Sequence, residues 1–376
     1  MRATHASIHL DAIEHNVKVF GEHLAAYPCV HGGSPEICAV VKADGYGHGA
    51  VPVALRALRA GATWLAVALV EEGVQLRDAG VDAPILILSE PQPEQMHLVM
   101  ANSLRPTIYT SEGLAAAEAA AVATGEATAV HINIDTGMGR VGASPDFAVP
   151  LAKALEANDQ LILEGVYTHF AVADEPDNPY NGQQLELFEK TMAALTAEGI
   201  EPPVVHTANS ALAMDHPESC FTMIRLGIAL YGLAPDPTFG GRLDLQPVMS
   251  LHSKVSMAKR VKAGQRLSYG LRYEAPSDET IATIPIGYAD GYRRYLSSVG
   301  GEVLIGGKRR PLAGTVTMDQ IMVSCGDDDV ATGAPVVLVG QQGAEEITMW
   351  DLATKLETIA YEMTCLIGTR VRREYV

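Results

Sequence analysis

Short apolar runs alternate with longer amphipathic or alanine-rich segments between residues 37 and 226. Eight of the runs have the length of a strand: 37–41, 63–69, 84–89, 105–109, 129–134, 161–167, 203–206 and 223–226. The segments between them are long enough for crossover helices: 53–60, 71–79, 93–101, 111–123, 148–157 and 183–197. Parallel strands that are buried on both faces have continuous apolar sequences. The pattern therefore predicts an α/β fold with an N-terminal parallel (β/α)8 barrel of the TIM type. A doubly wound open sheet is the alternative, which the absence of a GxGxxG motif after any early strand disfavours.

The pattern changes after Leu233, where a stretch rich in proline and glycine runs from 234 to 241. Beyond it, short alternating runs predict a mainly antiparallel β domain with strands at 251–258, 280–285, 302–305, 316–324 and 335–339 and one helix at 348–361. Residues 3–10 alternate like a strand that joins this second domain, and a helix at 11–24 follows with Asp11 as its expected N-cap. The predicted domains are residues 1–10, which join the C-terminal domain, residues 11–240, which form the barrel, and residues 241–376, which form the β-rich domain.

Composition limits the classes of partner. The 376 residues are 48% hydrophobic and 19% charged, as in an ordinary soluble globular protein, and the net charge of -18 disfavours nucleic acid or an anionic membrane as a partner. The five cysteines, Cys29, Cys38, Cys220, Cys325 and Cys365, show no CxxC pair and no metal-ligand spacing, which predicts reduced thiols, no metal and a cytoplasmic location. Residues 1–10 contain neither a signal peptide nor a membrane span. Small molecules are the expected partners.

Lys42 ends the first apolar run and opens the glycine-rich segment 42–49. A single lysine at a strand end is usually a surface residue. In a barrel, however, the carboxyl ends of the strands form the active site. An amine held against an apolar wall there is suited to imine chemistry with an aldehyde cofactor, because low polarity disfavours its charged form.

Polar residues also follow the later predicted strands. They are Asp135 to Arg140 at the fifth, Thr168 to Phe170 with His169 at the sixth, His206 to Ser210 with Asn209 at the seventh, and Arg225 to Ile228 at the eighth. Taken singly, each is also typical of a core histidine, a surface cation or a helix cap. Ser210 at a helix start, together with the backbone near Gly227, offers amide groups suited to a phosphate. A lysine and a phosphate site together suggest pyridoxal 5'-phosphate.

The chain resembles the alanine racemase family over essentially its whole length. The segments that carry the resemblance are 39–49 around Lys42, 135–140, 268–270, His169, Asn209 and Ser210, 225–227, 287–291, 318–320 and 358–362. Their order and spacing match the family, whose members are pyridoxal-phosphate enzymes that interconvert L-alanine and D-alanine and supply D-alanine for peptidoglycan.

The resemblance implies a role for each matching residue. Lys42 would carry the cofactor as an imine and act as one catalytic base. The other implied cofactor-binding residues are Tyr46, His169, Asn209, Ser210, Arg225, Gly227, Ile228 and Tyr361. Arg225 would face the pyridine nitrogen, where its permanent charge disfavours protonation of the ring. Racemisation needs a base on each face of the substrate carbon. The implied second base is Tyr269, contributed by the partner in a homodimer with shared active sites.

The implied substrate-binding residues are Arg140, Met318, Asp319 and Tyr288. Two positions depart from the commonest family pattern. Asn133 stands where many relatives have a lysine that is often carbamylated, and we expect Asn133, with or without a bound anion, to orient Arg140 instead. Thr317 stands where relatives often have a cysteine, so we do not expect the thiol-dependent inactivation described for the family to occur at this position.

Three other functions remain open from the sequence. A broader-specificity or serine-preferring racemase would share every motif above. A decarboxylase of a basic amino acid would favour a carboxylate in place of Arg225. A pyridoxal-phosphate carrier would not need the β domain that contributes Tyr269 and Met318.

Overall fold

The computed structural model describes residues 2–27, 33–125 and 127–376, so Cys29 lies outside the described residues. The chain divides into two compact units. One consists of Ala12–Gly45 and Ala50–Gln246, and the other of Met1–Asp11, Tyr46–Gly49 and Pro247–Val376. The first unit is called the barrel unit and the second the sheet unit below.

The barrel unit contains eight parallel strands in one sheet. In chain order, the first to eighth barrel strands are Glu36–Val40, Trp64–Val67, Ile85–Ile87, Arg105–Ile108, Thr128–Asn133, Leu161–Tyr167, Val204–His206 and Met223–Leu226. Each of the first six strands pairs with the strand that follows it in the chain, and the eighth pairs with the first. The seventh and eighth strands are joined by backbone hydrogen bonds, Thr222 N to Val205 O at 2.9 Å and Arg225 N to Ala208 O at 2.9 Å. The predicted (β/α)8 barrel is therefore confirmed.

Helices follow the barrel strands as predicted, since an amphipathic segment buries its apolar face against the sheet. The helices of the barrel region are Leu10–Ala25, Ala50–Ala60, Val70–Asp78, Met96–Ala101, Ser111–Thr124, Pro145–Glu156, Tyr180–Ala197 and Ser210–Asp215. Short 3-10 turns are Pro93–Gln95, Pro217–Ser219, Ile228–Tyr231 and Pro237–Phe239. The prediction that Asp11 is an N-cap is wrong, because the first helix already begins at Leu10 and Asp11 lies within its first turn.

The sheet unit is mainly antiparallel, as predicted. Its strands are His5–Ile8, Met249–Lys254, Met257–Val261, Arg266–Leu267, Tyr273–Glu274, Glu279–Ile284, Glu302–Ile305, Lys308–Pro311, Ile321–Ser324, Pro335–Gln342, Glu345–Ile347 and Arg372–Tyr375. His5–Ile8 pairs antiparallel with Met249–Lys254 and parallel with Arg372–Tyr375. The N-terminal strand thus joins the second unit, as the alternation of residues 3–10 predicted.

Three predicted elements of the sheet unit differ from the structure. The run 251–258 is divided between two strands, because Met249–Lys254 ends before Val255 and Met257–Val261 begins after it. Only Ile321–Ser324 of the predicted strand 316–324 is a strand, because residues 316–320 form a loop. The predicted helix 348–361 is two helices, Met349–Lys355 and Ala360–Cys365, and Glu357 between them has a left-handed φ of 54°. Thr348 and Asp351 form a capping box at the start of the first.

The sheet unit also contains 3-10 turns at Tyr269–Leu271, Tyr288–Asp290 and Arg294–Ser297. Across the described ranges, no helix is both long and apolar enough to cross a bilayer. No disulfide joins the described cysteines, and Cys38 and Cys325 are buried.

Candidate active site

Lys42 is half-buried and lies directly after the first barrel strand, at the start of a left-handed turn. Ala43, Asp44, Gly45 and Tyr46 have φ values of 52°, 52°, 61° and 51°. A left-handed conformation costs roughly 1–2 kcal/mol for each residue that has a Cβ atom. Three of the four residues have one, so neighbouring contacts must hold this turn in place.

Two carboxylates provide these contacts. Glu72 accepts hydrogen bonds from the backbone N–H of Ala43 at 2.6 Å, Ala68 at 2.8 Å and Leu69 at 3.1 Å. Asp44 accepts from the backbone N–H of Ala50 at 2.9 Å. Glu72 belongs to the first turn of the helix after the second barrel strand. It therefore connects the turn that carries Lys42 to the neighbouring strand–helix connection.

Arg225 lies on the eighth barrel strand and is 4% exposed. One terminal nitrogen donates to Nδ1 of His206 at 2.9 Å, and the other donates to Nδ1 of His169 at 3.1 Å. The same two nitrogens donate to the carbonyls of His206, Thr168 and Thr207 at 2.9–3.2 Å. Within the described residues, Nε of Arg225 donates to no acceptor. Burial lowers the pKa of Arg225, but a guanidinium remains charged in proteins.

Burial and three cations lower the pKa of His169. Although part of the residue is exposed, burial of the ring and then the charges of Arg225, Arg140 and Lys42 lower its pKa to about 3. His169 is therefore neutral near pH 7, and its Nδ1 accepts from Arg225. Lys42, Arg140 and His169 follow the first, fifth and sixth barrel strands and Arg225 lies near the end of the eighth, so all four belong to the carboxyl end of the barrel.

Ser210 and the turn after the eighth strand form a small polar site. Oγ of Ser210 accepts from the N–H of Gly227 at 2.9 Å and of Ala229 at 3.3 Å. Ile228 stands between Gly227 and Ala229 in the chain, and its N–H donates to no described residue. Asn209 uses its side-chain oxygen to cap the helix Ser210–Asp215 through Leu212 N at 3.0 Å. A hydroxyl and neighbouring amides in this arrangement suit a phosphate group.

The loop after the fifth strand presents Arg140 as an exposed residue. Asp135 accepts from the N–H groups of Gly137 and Gly139, each at 3.0 Å, and so fixes the loop. Asn133 is buried, and the described residues include no hydrogen bond from its side chain to Arg140. Orientation of Arg140 by Asn133 through an anion stays a prediction.

In the sheet unit, Tyr269 projects from a strained and well-anchored turn. Its side chain is 73% exposed, and the residues on either side, Ser268 and Gly270, have φ values of 70° and 73°. Oγ of Ser268 accepts from Thr315 N at 2.9 Å and lies 3.2 Å from Thr315 O. A cavity of about 370 Å³ adjoins this turn, lined by Ser268, Tyr269, Thr283, Thr315, Thr317, Gln320 and Met322.

Met318 and Tyr288 lie on two hydrogen-bonded loops of the sheet unit. Tyr288 N donates to Thr317 O at 3.0 Å, and Ala289 N donates to Met318 O at 3.1 Å. Met318 and Tyr288 are 52% and 43% exposed, and within the part of the chain described, the N–H of Met318 has no acceptor. Binding of a substrate carboxylate by that amide stays a prediction.

Asp290 and Asp319 hold these loops through arginines. The fully buried Asp290 carboxylate accepts two bonds from Arg2, at 2.5 and 2.6 Å, and one from Gly287 N at 2.9 Å. Asp319 accepts from Arg370 at 2.6 Å, and Arg370 also approaches Asp290 at 3.3 Å. The side chain of Asp319 is thus engaged within the sheet unit.

Tyr46 and Tyr361 lie together in the sheet unit, with ring centroids 6.2 Å apart. Burial, and then the nearby Cys365, raise the pKa of Tyr46, so its hydroxyl remains protonated. Tyr46 can therefore donate a hydrogen bond.

A parallel barrel that carries a half-buried lysine after its first strand, followed in the chain by a mainly antiparallel sheet unit, defines a class of barrel enzymes whose active site lies at the carboxyl ends of the strands. The profile "Alanine racemase, N-terminal domain" matches residues 8–235, and "Alanine racemase, C-terminal domain" matches residues 248–375. The chain belongs to the alanine racemase family, as its sequence motifs predicted.

Individual relatives are similar over their full length. The chain is 45% identical to the alanine racemase of Symbiobacterium thermophilum, with 100% of this chain and 97% of the relative covered. It is 40% identical to the crystal structure of alanine racemase from Bacillus anthracis with bound L-Ala-P, with a TM-score of 0.92 and coverage of 100% and 95%. A histidine racemase from Leuconostoc mesenteroides subsp. sake is also similar, at 32% identity and a TM-score of 0.90, with coverage of 100% and 98%.

Sequence reasoning missed the residues that support the site. Glu72 had a signal, because an acid three residues after a helix start is typical of a capping box. His206 stands among the polar residues at the strand ends that the sequence indicated, but no role was predicted for it. Arg2 gave no signal, because its partner Asp290 is 288 residues away in the chain.

Proposed function

We propose that this protein interconverts L-alanine and D-alanine with pyridoxal 5'-phosphate as cofactor. The observation that carries the proposal is the buried Arg225, held by neutral acceptors with its Nε free of described partners. It pairs with the first barrel strand, which ends two residues before Lys42. A carboxylate partner for the pyridine nitrogen, typical of many other pyridoxal enzymes, would require a different residue at Arg225.

The barrel unit contains groups that fit each part of this cofactor. Lys42 supplies the amine, Ser210 the hydroxyl and Ile228 a backbone N–H for the phosphate. Gly227, whose N–H donates to Oγ of Ser210, holds that hydroxyl in place. Arg225 supplies the Nε–H for the ring nitrogen. His169 and Asn209 adjoin these groups, His169 through Arg225 and Asn209 as the residue before Ser210. When bound, the cofactor acidifies the Cα–H bond of an amino acid and holds the resulting electron pair.

The residues of the chain then move the proton. We assign the two faces of the substrate carbon to Lys42 and to Tyr269 of a second copy, because inversion needs a base on each face. The exposed Tyr269 side chain on an anchored turn is suited to reach into another protomer. Arg140 and the N–H of Met318 are the groups that we assign to the substrate carboxylate, with Asp319 and Tyr288 beside them.

We further propose that the active form is a cytoplasmic homodimer that supplies D-alanine for peptidoglycan. If the site needs Tyr269 from a second copy, activity should fall on dilution below the dimer's dissociation constant. A fully active monomer would contradict the shared site.

The decisive test is a chiral assay with L-alanine, L-serine and L-histidine, combined with borohydride trapping and peptide mapping. We expect conversion of L-alanine in preference to the other two and label on Lys42. Lys42→Ala should abolish racemisation in both directions and the label, whereas Lys190→Ala, which changes an exposed helix lysine, should leave both unchanged. Preference for serine or histidine would reassign the substrate, and label without racemisation would overturn the reaction.

Tyr269→Phe separates the two bases. We expect loss chiefly of proton abstraction from L-alanine, measured as hydrogen exchange with solvent for each enantiomer. Equal loss for both enantiomers would contradict the assignment of one base to each face.

A further inference from the structure

A chain of buried polar side chains leads from Arg225 across the barrel interior to its other side. His206, at the end of the seventh strand, accepts from Arg225 through Nδ1 at 2.9 Å. Nε2 of His206 lies 3.1 Å from Nδ1 of His131, on the fifth strand. Nε2 of His131 lies 3.4 Å from the carboxylate of Glu164 on the sixth strand. Arg105, at the start of the fourth strand, donates to that carboxylate at 3.2 Å.

The chemistry of the two ends fixes the direction of every bond in this chain. A guanidinium only donates, so Nδ1 of His206 must present its lone pair to Arg225. Neutral imidazole has one donor and one acceptor nitrogen, and therefore Nε2 of His206 carries the hydrogen. His131 must then accept through Nδ1 and carry its own hydrogen on Nε2. That hydrogen faces Glu164, which can only attract it.

Burial keeps both imidazoles neutral, as this arrangement requires. His131 and His206 are each 0% exposed. Burial and the charge of Arg225 hold the pKa of His206 well below its usual value. Burial also lowers the pKa of His131, and the opposing effect of Glu164 is too small to restore it. The contact of His131 with Glu164 is a charge attraction, since it lies outside hydrogen-bond geometry.

The backbone makes room for this ring. A Cβ atom on Gly165 would lie 2.4 Å from Nδ1 and Cε1 of His131, closer than real contacts allow. Trp64 packs against the ring in an edge-to-face arrangement, with centroids 5.5 Å apart. The position of His131 is thus determined by its neighbours on the barrel strands.

We propose that His131, held in one tautomer by Glu164, is a positioning residue that accepts the Nε2 hydrogen of His206 and thereby holds the His206 ring and the orientation of Arg225. If His131 carried its hydrogen on Nδ1, it would face a donor on His206 or force His206 to present a donor to Arg225. Either arrangement leaves two buried donors opposed. The chain does not transfer protons to the site, because Arg225 at its end stays protonated. This inference rests on the proposed role of Arg225 in binding the cofactor.

The test compares two replacements of His131 with different hydrogen-bonding capacity. Asparagine can place its oxygen near the position of Nδ1 and still accept from His206, whereas phenylalanine fills the volume without an acceptor. We expect His131→Phe to lower kcat about tenfold to a hundredfold, the range usual for loss of a residue that orients a ligand-binding group. KM for alanine should change little, because the substrate carboxylate is assigned to other residues. His131→Asn should retain most of the turnover.

The matched control is Thr128→Val, which removes a buried hydroxyl contact to Met100 from the same strand. It should lower stability without changing kcat. The independent readout is the ¹⁵N NMR spectrum of histidine-labelled holoenzyme, which distinguishes the two tautomers of each ring. In the unaltered protein we expect His131 and His206 both to carry hydrogen on Nε2, and in His131→Phe we expect the Nε2 signal of His206 to lose the shift that its hydrogen bond to His131 produces.

Three results would overturn the proposal. One is a His206 or His131 that carries hydrogen on Nδ1 in the unaltered protein, a measurement that needs no variant to fold. Another is equal loss of turnover in His131→Asn and His131→Phe, which would assign the effect to ring volume. The third is an unchanged Nε2 signal of His206 together with an unchanged kcat in His131→Phe. Because the tautomers are measured without substrate, failure of the proposed racemase activity would be seen separately.

Discussion

Replacement of Glu72 by alanine tests whether the turn after Lys42 is held by its carboxylate. The variant loses three hydrogen bonds, to the N–H groups of Ala43, Ala68 and Leu69. A bond to a charged group contributes about 1.5–3 kcal/mol when it is well buried. Glu72 is only half-buried and water can replace part of each bond. We therefore expect a loss of about 2–3 kcal/mol in the free energy of unfolding for all three bonds together.

The control is Glu71→Ala, one position earlier on the same helix. Glu71 is exposed and accepts one bond, from Gln95 at 2.7 Å. Both variants remove a negative charge from the helix N-terminus, worth about 0.3–1 kcal/mol. The difference between them isolates the backbone contacts of Glu72.

The measurements are urea unfolding and hydrogen exchange of the peptide that spans residues 42–50. We expect faster exchange there in Glu72→Ala than in Glu71→Ala, because a left-handed turn released from Ala43 N can relax. Racemisation should fall together with that protection. Equal stability of the two variants and unchanged exchange of 42–50 would refute the reasoning.

Two further predictions concern acid stability and the sheet unit. His131, His169 and His206 have lowered pKa values in the folded protein, so the unfolded chain takes up their protons first as the pH falls below about 6.5. The free energy of unfolding should be constant above that pH and should decrease below it by up to about 4 kcal/mol per pH unit for three protons. Urea unfolding from pH 8 to 5 measures this decrease, and a free energy that does not change with pH would contradict the prediction. Arg2→Ala should lower the free energy of unfolding by about 2–3 kcal/mol and raise KM for alanine. The loss is smaller than the roughly 3–5 kcal/mol usual for a broken buried ion pair, because Arg370 remains near Asp290. An unchanged melting temperature would contradict a stabilising contact between Arg2 and Asp290.

The barrel could be predicted because its strands are buried on both faces and leave a continuous apolar signal. The sheet unit could be predicted less well. Residues 316–320 alternate like a strand, but their carbonyls bond to Tyr288 and Ala289, far away in the sequence. The helix predicted at 348–361 breaks at Glu357, whose left-handed φ no residue-type preference indicates. Local pattern does not contain these long-range contacts.

The candidate site divides in the same way. Lys42, Arg140, His169 and Arg225 were found because polar residues rarely follow so many barrel strands unless they form a site together. Their supports were not found. Glu72 acts through backbone N–H groups of another loop, and any acid near a helix start gives the same sequence signal. The distances between strands, which only the fold supplies, decide which carboxylate acts.

Arg225 shows why the supporting residues are neutral. A buried cation is costly, and a carboxylate partner would be the usual remedy. Within the described residues, however, its hydrogen-bond acceptors are two neutral imidazoles and three carbonyls, and its guanidinium lies over the ring of Tyr167 at 5.1 Å. The carboxylate of Glu164 is separated from it by two histidine rings. This arrangement satisfies the hydrogen bonds of the guanidinium without cancelling its charge. That charge, after burial, is the largest effect that holds the pKa of His169 at about 3. A carboxylate in place of His206 would stabilise the buried Arg225 better. It would also cancel the positive charge that acts on His169 and on the rest of the site.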